Sequence, residues 1–276
     1  MIVEKEWLVQ RLNDVDLRIV DCRFDLKNKQ LGFQQYKESH LPKAVYFDLE
    51  KDLSSEVKTH GGRHPLPELS TFKRKLDEAG IKNSDTIVAY DGGEGSFAAR
   101  FFWMMKYVGH ENVYVLNGGF TSWHQVSYPV DEKIPTFEKS CFEFDIKEHM
   151  LASYERVKLF TERKLEQTIL VDSRDRIRYA GIEELIDRIP GHIPGAINLP
   201  YMDGMKDSSY LSNEEQITRF NHLDHNSEII VYCGSGVTAM PNYIALKQAG
   251  FTNVKVYVGS YSDWVSYEEN PVETTL

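Results

Sequence analysis

Short apolar runs alternate with longer segments of mixed polarity along the whole chain. The runs are rich in β-branched residues and most end in a polar residue, which is typical of buried strands. In the first half they predict strands at 18–23, within 40–48, at 86–90 and at 113–116. Between them, helices are predicted at 69–79 and 97–108, closed by Gly80 and Gly109, because glycine is the common residue just after a helix end.

The second half repeats the order of the first. The segment Val-Asp-Ser-Arg at 171–174 corresponds to Val-Asp-Cys-Arg at 20–23, and a His-x-Pro turn at 40–42 recurs at 192–194. Each half also ends in a segment that contains a tryptophan, Trp123 or Trp264. The copies lie about 140 to 150 residues apart, which indicates one module used twice and not a short repeat. Alternating strands and helices predict an α/β fold with a mainly parallel sheet in each module.

The boundary between the modules is predicted near residues 131–140, where the repeat runs out and Pro129 and Pro135 occur. We therefore expect one domain at 1–135 and a second at 136–276. A partly helical segment within 150–164 would lead into the second module.

Composition restricts the function only broadly. The chain has 276 residues and a net charge of −10, which argues against nucleic acid or an anionic membrane as the main partner. No apolar run approaches the ~18 residues of a membrane span, and the start of the chain lacks the pattern of a secretory signal. The three cysteines have no metal-like spacing, so a reducing, cytoplasmic location without a metal site is expected.

Cys233 is the residue on which the chemistry depends. It ends the apolar run 229–232, is followed by Gly234 and Gly236, and precedes a helix-compatible segment that runs to Gly250. A cysteine at a helix N-terminus, surrounded by backbone amides, is favoured as a thiolate. The alternative is a buried structural cysteine, which is common for a lone Cys.

In these residues the chain resembles the tandem-domain rhodanese-type sulfurtransferases. The matching pieces are the segments 171–174, 191–196 (Gly-His-Ile-Pro-Gly-Ala) and 231–238 (Val-Tyr-Cys-Gly-Ser-Gly-Val-Thr), together with the two tryptophan segments. The resemblance implies two rhodanese-like domains, each with a five-stranded, mainly parallel sheet flanked by helices. It also implies that only the second domain is catalytic, and Asp91 stands in the first where a cysteine would be.

The loop after Cys233 is most similar to that of 3-mercaptopyruvate sulfurtransferases, whereas thiosulfate-preferring members usually carry basic residues there. Thiosulfate leaves as an anionic sulfite, which cationic side chains would stabilise. The resemblance implies that Cys233 takes sulfur from 3-mercaptopyruvate as a persulfide, releases pyruvate and passes the sulfur to a thiol or cyanide. The loop residues would bind substrate through their amides; they are Gly234, Gly236, Val237 and Thr238.

Three further residues match positions that act with the cysteine in mercaptopyruvate enzymes. Ser235 would polarise the substrate carbonyl or relay a proton, and His64 with Asp48 would move a proton toward the departing enolate. The alternatives are a serine that satisfies local amides, a histidine that anchors a loop, and an aspartate that caps a turn.

Arg178 and Arg188 match the two arginines that bind the substrate carboxylate in the family. Paired guanidinium groups suit an α-keto carboxylate because each offers a planar fork of donors. The alternative for either is a solvated surface charge. By contrast, Asp21 with Arg23 and Asp172 with Arg174 recur in both modules, so we interpret these pairs as structural.

Three other functions are open to a chain with these features. The first is the same chemistry with thiosulfate as donor, and the second is a cysteine-dependent phosphatase, which would need an arginine where Thr238 or Ala239 stands. The third is a non-catalytic binding or regulatory protein on the same fold. No cofactor is implied, and the expected partners are a small sulfur donor and a thiol acceptor such as thioredoxin or a low-molecular-weight thiol. A monomer is the default expectation.

Overall fold

The computed structural model describes residues 1–275, which form two compact units. Unit 1 comprises Met1–Ser55, Leu66–Lys147 and Asp207–Tyr210. Unit 2 comprises Glu56–Pro65, Glu148–Lys206 and the chain from Leu211 onward. The division between residues 135 and 136 stays a prediction, since neither unit is one continuous stretch of sequence.

Unit 1 is built on a five-stranded parallel sheet in the order β1-β5-β4-β2-β3. Its strands are β1 (Ile2–Val3), β2 (Leu17–Asp21), β3 (Val45–Tyr46), β4 (Thr86–Tyr90) and β5 (Val113–Leu116). Its helices are α1 (Lys5–Val9), α2 (Leu31–Glu38), α3 (Leu69–Glu78), α4 (Ser96–Tyr107) and α5 (Gly119–Gln125). Ten of the twelve residues of α4 are buried, which explains its mainly apolar sequence.

Unit 2 carries the corresponding parallel sheet in the order β11-β10-β6-β7. Its strands are β6 (Thr168–Asp172), β7 (Ile197–Asn198), β10 (Glu228–Tyr232) and β11 (Val254–Val256), and the short strand β8 (Met205–Lys206) follows β7. The next short strand, β9 (Ser209–Tyr210), lies in the segment 207–210 of unit 1. Its helices are α6 (Tyr154–Thr161), α7 (Arg176–Ala180), α8 (Asn213–Arg219), α9 (Ala239–Gln248) and α10 (Ser260–Trp264). Single turns of 3-10 helix occur at Glu148–Met150 and Tyr201–Gly204.

The sheet of unit 2 therefore has four strands, where five were expected. In unit 1 the fifth strand is β1, which pairs with β5 at the edge. The same edge of unit 2 has only a one-residue parallel bridge, Leu151 to Val256. The bridge cannot lengthen, because a 3-10 turn ends at Met150 and Ser153 already caps helix α6.

The repeat extends to individual hydrogen bonds. In both units a buried arginine reaches back to the aspartate two residues earlier, with Nη2 to Oδ2 distances of 2.6 Å for Arg23 to Asp21 and for Arg174 to Asp172. Both Trp123 and Trp264 are fully buried, and the indole N–H of each donates to a proline carbonyl at 2.8 Å. These contacts confirm the structural interpretation of the repeated residues.

Within residues 1–275, none of the helices combines the length and the apolar character needed to cross a membrane.

Candidate active site

Cys233 follows directly after β10, in the centre of the sheet of unit 2, and its side chain is buried. The backbone N–H of Gly236 donates to its Sγ at 3.1 Å, and its own backbone N–H donates to Ser260 Oγ at 3.2 Å. The loop 234–238 then turns into helix α9, which begins at Ala239. The sulfur thus lies where a strand end meets a helix N-terminus, as the sequence predicted.

Two features keep this loop tightly curled. Gly236 has a φ of +76°, and a Cβ at this position would lie 2.3 Å from the carbonyl oxygen of Val258, so no side chain fits. The carbonyls of Cys233 and Gly234 accept N–H groups from Tyr261 and Ser262, both at 2.9 Å. The start of α10 therefore fixes the loop from the other side.

The structure brings together Ser235 and His64, which are far apart in sequence. His64 lies in the segment Glu56–Pro65, which belongs to unit 2. Its ring Nδ1 is 2.8 Å from Ser235 Oγ, and both residues are buried. Gly61 anchors the segment by donating its N–H to Asp263 at 2.7 Å. A histidine bonded to the hydroxyl two residues after the nucleophile can supply or accept a proton there.

Arg178 lies in α7 and points its guanidinium at the loop. A Cβ built on Gly234 would be 3.4 Å from its Nη2 and 3.5 Å from its Nη1. Two buried carboxylates hold the group: Glu184 accepts from Nε and Nη2, and Asp187 accepts from Nη2, all at 2.9 Å. Arg178 therefore has the position expected of a residue that binds an anion beside Cys233.

Arg188 and Asp48 have other contacts. Arg188 is half exposed and donates to the carbonyl of Val265 at 3.0 Å, with Glu268 at 3.8 Å. Asp48 lies in unit 1, where its Oδ1 accepts the backbone N–H groups of Glu50 and Lys51 and so caps a turn. The catalytic role of Asp48 and the substrate-binding role of Arg188 stay predictions.

Arg63 is the residue that sequence reasoning missed. Its Nη2 lies 2.9 Å from the position of a Cβ on Gly234, and its Nη1 forms an ion pair with Asp187. Burial lowers the pKa of Arg63; the charge of Cys233 opposes this effect, and Arg178 adds to it. The sequence offered one signal for Arg63, its position directly before His64, because a segment that brings one residue to a site also brings that residue's neighbours.

The equivalent loop of unit 1 shows what the amides around Cys233 do. Asp91 occupies the position of the cysteine, and its carboxylate accepts four backbone N–H bonds at 3.0–3.1 Å, from Gly93, Gly95, Phe97 and Ala98. The loop that follows the central strand thus directs its donors at one negative charge. By the same geometry, the loop after Cys233 is suited to hold a thiolate or a persulfide anion.

Comparison with known proteins agrees with this geometry. The Rhodanese-like domain family matches residues 4–126 and again residues 156–267. The chain belongs to the rhodanese family. This confirms the family and the tandem arrangement that the motifs indicated.

Relatives of this rhodanese protein match over nearly the whole chain. A probable 3-mercaptopyruvate sulfurtransferase of Pseudomonas aeruginosa is 35% identical, covering 99% of this chain and 98% of that protein. A thiosulfate sulfurtransferase of Rattus norvegicus is 31% identical, covering 100% and 94%. The crystal structure of an Escherichia coli 3-mercaptopyruvate sulfurtransferase superposes with a TM-score of 0.83 at 28% identity, covering 95% of this chain and 98% of that one. These relatives support a sulfurtransferase activity.

Proposed function

We propose that this protein takes a sulfur atom from 3-mercaptopyruvate as a persulfide on Cys233 and passes it to a thiol acceptor, releasing pyruvate. The observation that carries the proposal is the joint placement of Cys233, with Gly236 N–H at its sulfur, and the hydrogen-bonded pair of Ser235 and His64. A nucleophile and a proton-transfer pair on one short loop are what this reaction requires.

The first half-reaction begins when the Cys233 thiolate attacks the thiol sulfur of the donor. A sulfur–sulfur bond forms, the carbon–sulfur bond breaks, and its electron pair passes to the enolate of pyruvate. Ser235 and His64 supply a proton to the enolate, directly or through water. The amide of Gly236 stabilises the negative sulfur throughout, because a preorganised donor needs no reorganisation during the reaction.

In the second half-reaction the acceptor thiolate attacks the outer sulfur of the persulfide. The sulfur–sulfur bond on Cys233 breaks, its electron pair returns to Cys233 as a thiolate, and the acceptor leaves as a persulfide. Thioredoxin or a low-molecular-weight thiol fits this step, whereas cyanide would attack the same sulfur and leave as thiocyanate. A cytoplasmic location would keep Cys233 reduced.

Thiosulfate is the second candidate donor, and a specific observation favours it. The loop 234–238 has no basic residue, but the segment 56–65 brings the guanidinium of Arg63 to Gly234. Cationic charge near Cys233 can therefore stabilise a departing sulfite. The rat relative named thiosulfate sulfurtransferase supports the same candidate.

Both candidates are tested by comparing kcat/KM for the two donors with one acceptor, in the natural protein and in Ser235→Lys. We expect 3-mercaptopyruvate to be preferred, and Ser235→Lys to shift the preference toward thiosulfate. Intact-mass spectrometry after incubation with donor alone should show one added sulfur atom, absent in Cys233→Ser. Sulfur transfer retained by Cys233→Ser would refute the mechanism.

A further inference from the structure

We propose that Asp263 and Ser262, on helix α10, are positioning residues for the proton-transfer step, because they hold the segment 56–65 where His64 meets Ser235. The proposal rests on the proposed function only in naming the step that His64 serves. Neither Asp263 nor Ser262 was among the site residues predicted from the sequence.

Two side chains of α10 accept backbone N–H groups of the segment. Oδ1 of Asp263 accepts from Gly61 at 2.7 Å, and Oγ of Ser262 accepts from Arg63 at 3.1 Å. These two donors come three residues and one residue before His64. The backbone is therefore fixed directly on the N-terminal side of the histidine.

The rest of the segment packs closely on the same part of unit 2. Gly62 has a φ of +82°, and a Cβ there would lie 2.3 Å from the carbonyl oxygen of Gly259, so only glycine permits the approach. The ring of His60 stacks on Tyr267 with centroids 3.9 Å apart, and its Nδ1 lies 2.7 Å from Ser266 Oγ. Four successive residues of the segment thus contact α10 or the residues on either side of it.

The same helix also fixes the loop that carries the nucleophile. The backbone N–H groups of Tyr261 and Ser262 donate to the carbonyls of Cys233 and Gly234, both at 2.9 Å. Ser262 therefore binds the loop through its backbone and the segment through its side chain. One short helix thus positions both members of the serine–histidine pair.

Asp263 is itself held in one orientation. The residue is only 4% exposed, and its Oδ2 accepts the hydroxyl of Tyr257 at 2.5 Å. This contact leaves Oδ1 directed at Gly61. A hydrogen bond to a carboxylate in such a buried place is stronger than the same bond in water.

Unit 1 shows that the fold itself does not require these contacts. By its spacing before the tryptophan of its unit, Ser122 corresponds to Asp263. The hydroxyl of Ser122 donates to the carbonyl of Asn117 at 2.9 Å, within its own turn. Leu116 corresponds to Tyr257 and has no hydroxyl. The carboxylate and its tyrosine partner therefore belong to the unit that carries the nucleophile, as expected of groups that serve the reaction.

The first test separates positioning from folding by changing the donor. The enolate that leaves 3-mercaptopyruvate needs a proton, whereas sulfite leaves thiosulfate as an anion. Asp263→Ser should slow single-turnover persulfide formation from 3-mercaptopyruvate roughly 10- to 100-fold and leave that from thiosulfate unchanged. In the His64→Asn background the same change should slow it no further.

Tyr261→Phe is the matched control for this test. It removes a hydroxyl of the same helix that donates to the carbonyl of Ile189, outside the segment, so both rates should be those of the natural protein. Equal slowing of Asp263→Ser with both donors, or a further loss in the His64→Asn background, would show a general effect on the loop and overturn the proposal.

The second test depends on neither donor and includes a milder variant. The Nδ1 resonance of His64, identified by its loss in His64→Asn, reports the hydrogen bond to Ser235 in NMR spectra. Asp263→Ser and Ser262→Ala should both move this resonance toward its position in Ser235→Ala, and Tyr261→Phe should not. An unmoved resonance in both variants would overturn the proposal. Failure of the natural protein to form any persulfide would instead refute the proposed function, and the resonance would still decide whether the two side chains position the ring.

Discussion

Gly236→Ala is the substitution whose effect the loop geometry defines most sharply. The new Cβ would lie 2.3 Å from the carbonyl oxygen of Val258, and the residue would have to keep a φ of +76°. Left-handed backbone costs a non-glycine residue about 1–2 kcal/mol, and overpacking against rigid backbone adds about 1–3 kcal/mol. We expect unit 2 to lose about 2–5 kcal/mol of unfolding free energy.

The same change should impair the chemistry. Relief of the contact requires the loop to move away from Val258, and the Gly236 N–H then leaves the Cys233 sulfur, which it now meets at 3.1 Å. Removal of one such donor typically slows a reaction roughly 100-fold or more. Single-turnover persulfide formation, followed by intact mass, measures this step without the acceptor.

Gly250→Ala is the matched control. Gly250 has a φ of +92°, but a Cβ there would have no atom within 4 Å. This substitution should therefore lower the unfolding free energy only by the cost of left-handed backbone, about 1–2 kcal/mol. It should leave the rate of persulfide formation unchanged. Both glycines belong to unit 2, so urea unfolding followed by circular dichroism compares them in the same transition. If Gly236→Ala were as stable as Gly250→Ala and formed persulfide at the natural rate, the account of this loop would be wrong.

Three further predictions concern Gly234, the pair of Ser235 and His64, and Glu94 in unit 1. Gly234→Ala should raise KM for 3-mercaptopyruvate with little loss of stability, because the new Cβ would displace only the flexible ends of Arg63 and Arg178. An unchanged KM would count against binding of the donor's carboxylate beside Gly234. Ser235→Ala and His64→Asn should each lower kcat with 3-mercaptopyruvate by roughly 100-fold. Because the two residues act as a pair, the double variant should be no slower than the slower single variant. Additive losses would show that they act independently. In unit 1, burial and then the Asp91 carboxylate raise the pKa of Glu94 to about 8. Because the folded state then holds a proton that the unfolded state releases, stability should fall from pH 5 to pH 8, and Glu94→Gln should reduce that slope in urea unfolding.

The strands and the repeated contacts could be predicted because they depend on local patterns. Strand β10 is buried along its whole length, so it is a short and mainly apolar run. Asp172 and Arg174 are only two residues apart, so their contact is local. The same pair recurs as Asp21 and Arg23 in the unit that has no cysteine in the loop, which indicates a structural role and not a catalytic one. Cys233 was recognisable for the same reason, because its strand, loop and helix are contiguous.

The remaining features depend on contacts that no local pattern encodes. The segment 56–65 belongs to unit 2, although 66–147 returns to unit 1, and this alone brings Arg63 and His64 to the loop. Arg188 was assigned from its match to the family's carboxylate-binding arginines, and that role stays a prediction. The contact of Asp187 with Arg178 could not be predicted, because it depends on a turn in which the Glu184 carboxylate accepts the backbone N–H groups of Ile186 and Asp187.

Asp91 has a consequence for how the two copies respond to oxidants. Its carboxylate already fills the ring of amide donors in unit 1 and has no electrons that hydrogen peroxide or hypochlorite can readily take. Cys233 stands at the corresponding position of unit 2, and its sulfur can be oxidised to sulfenic and sulfinic acids. The duplication has therefore left one loop with a carboxylate that these oxidants do not attack and one loop with a sulfur that they can.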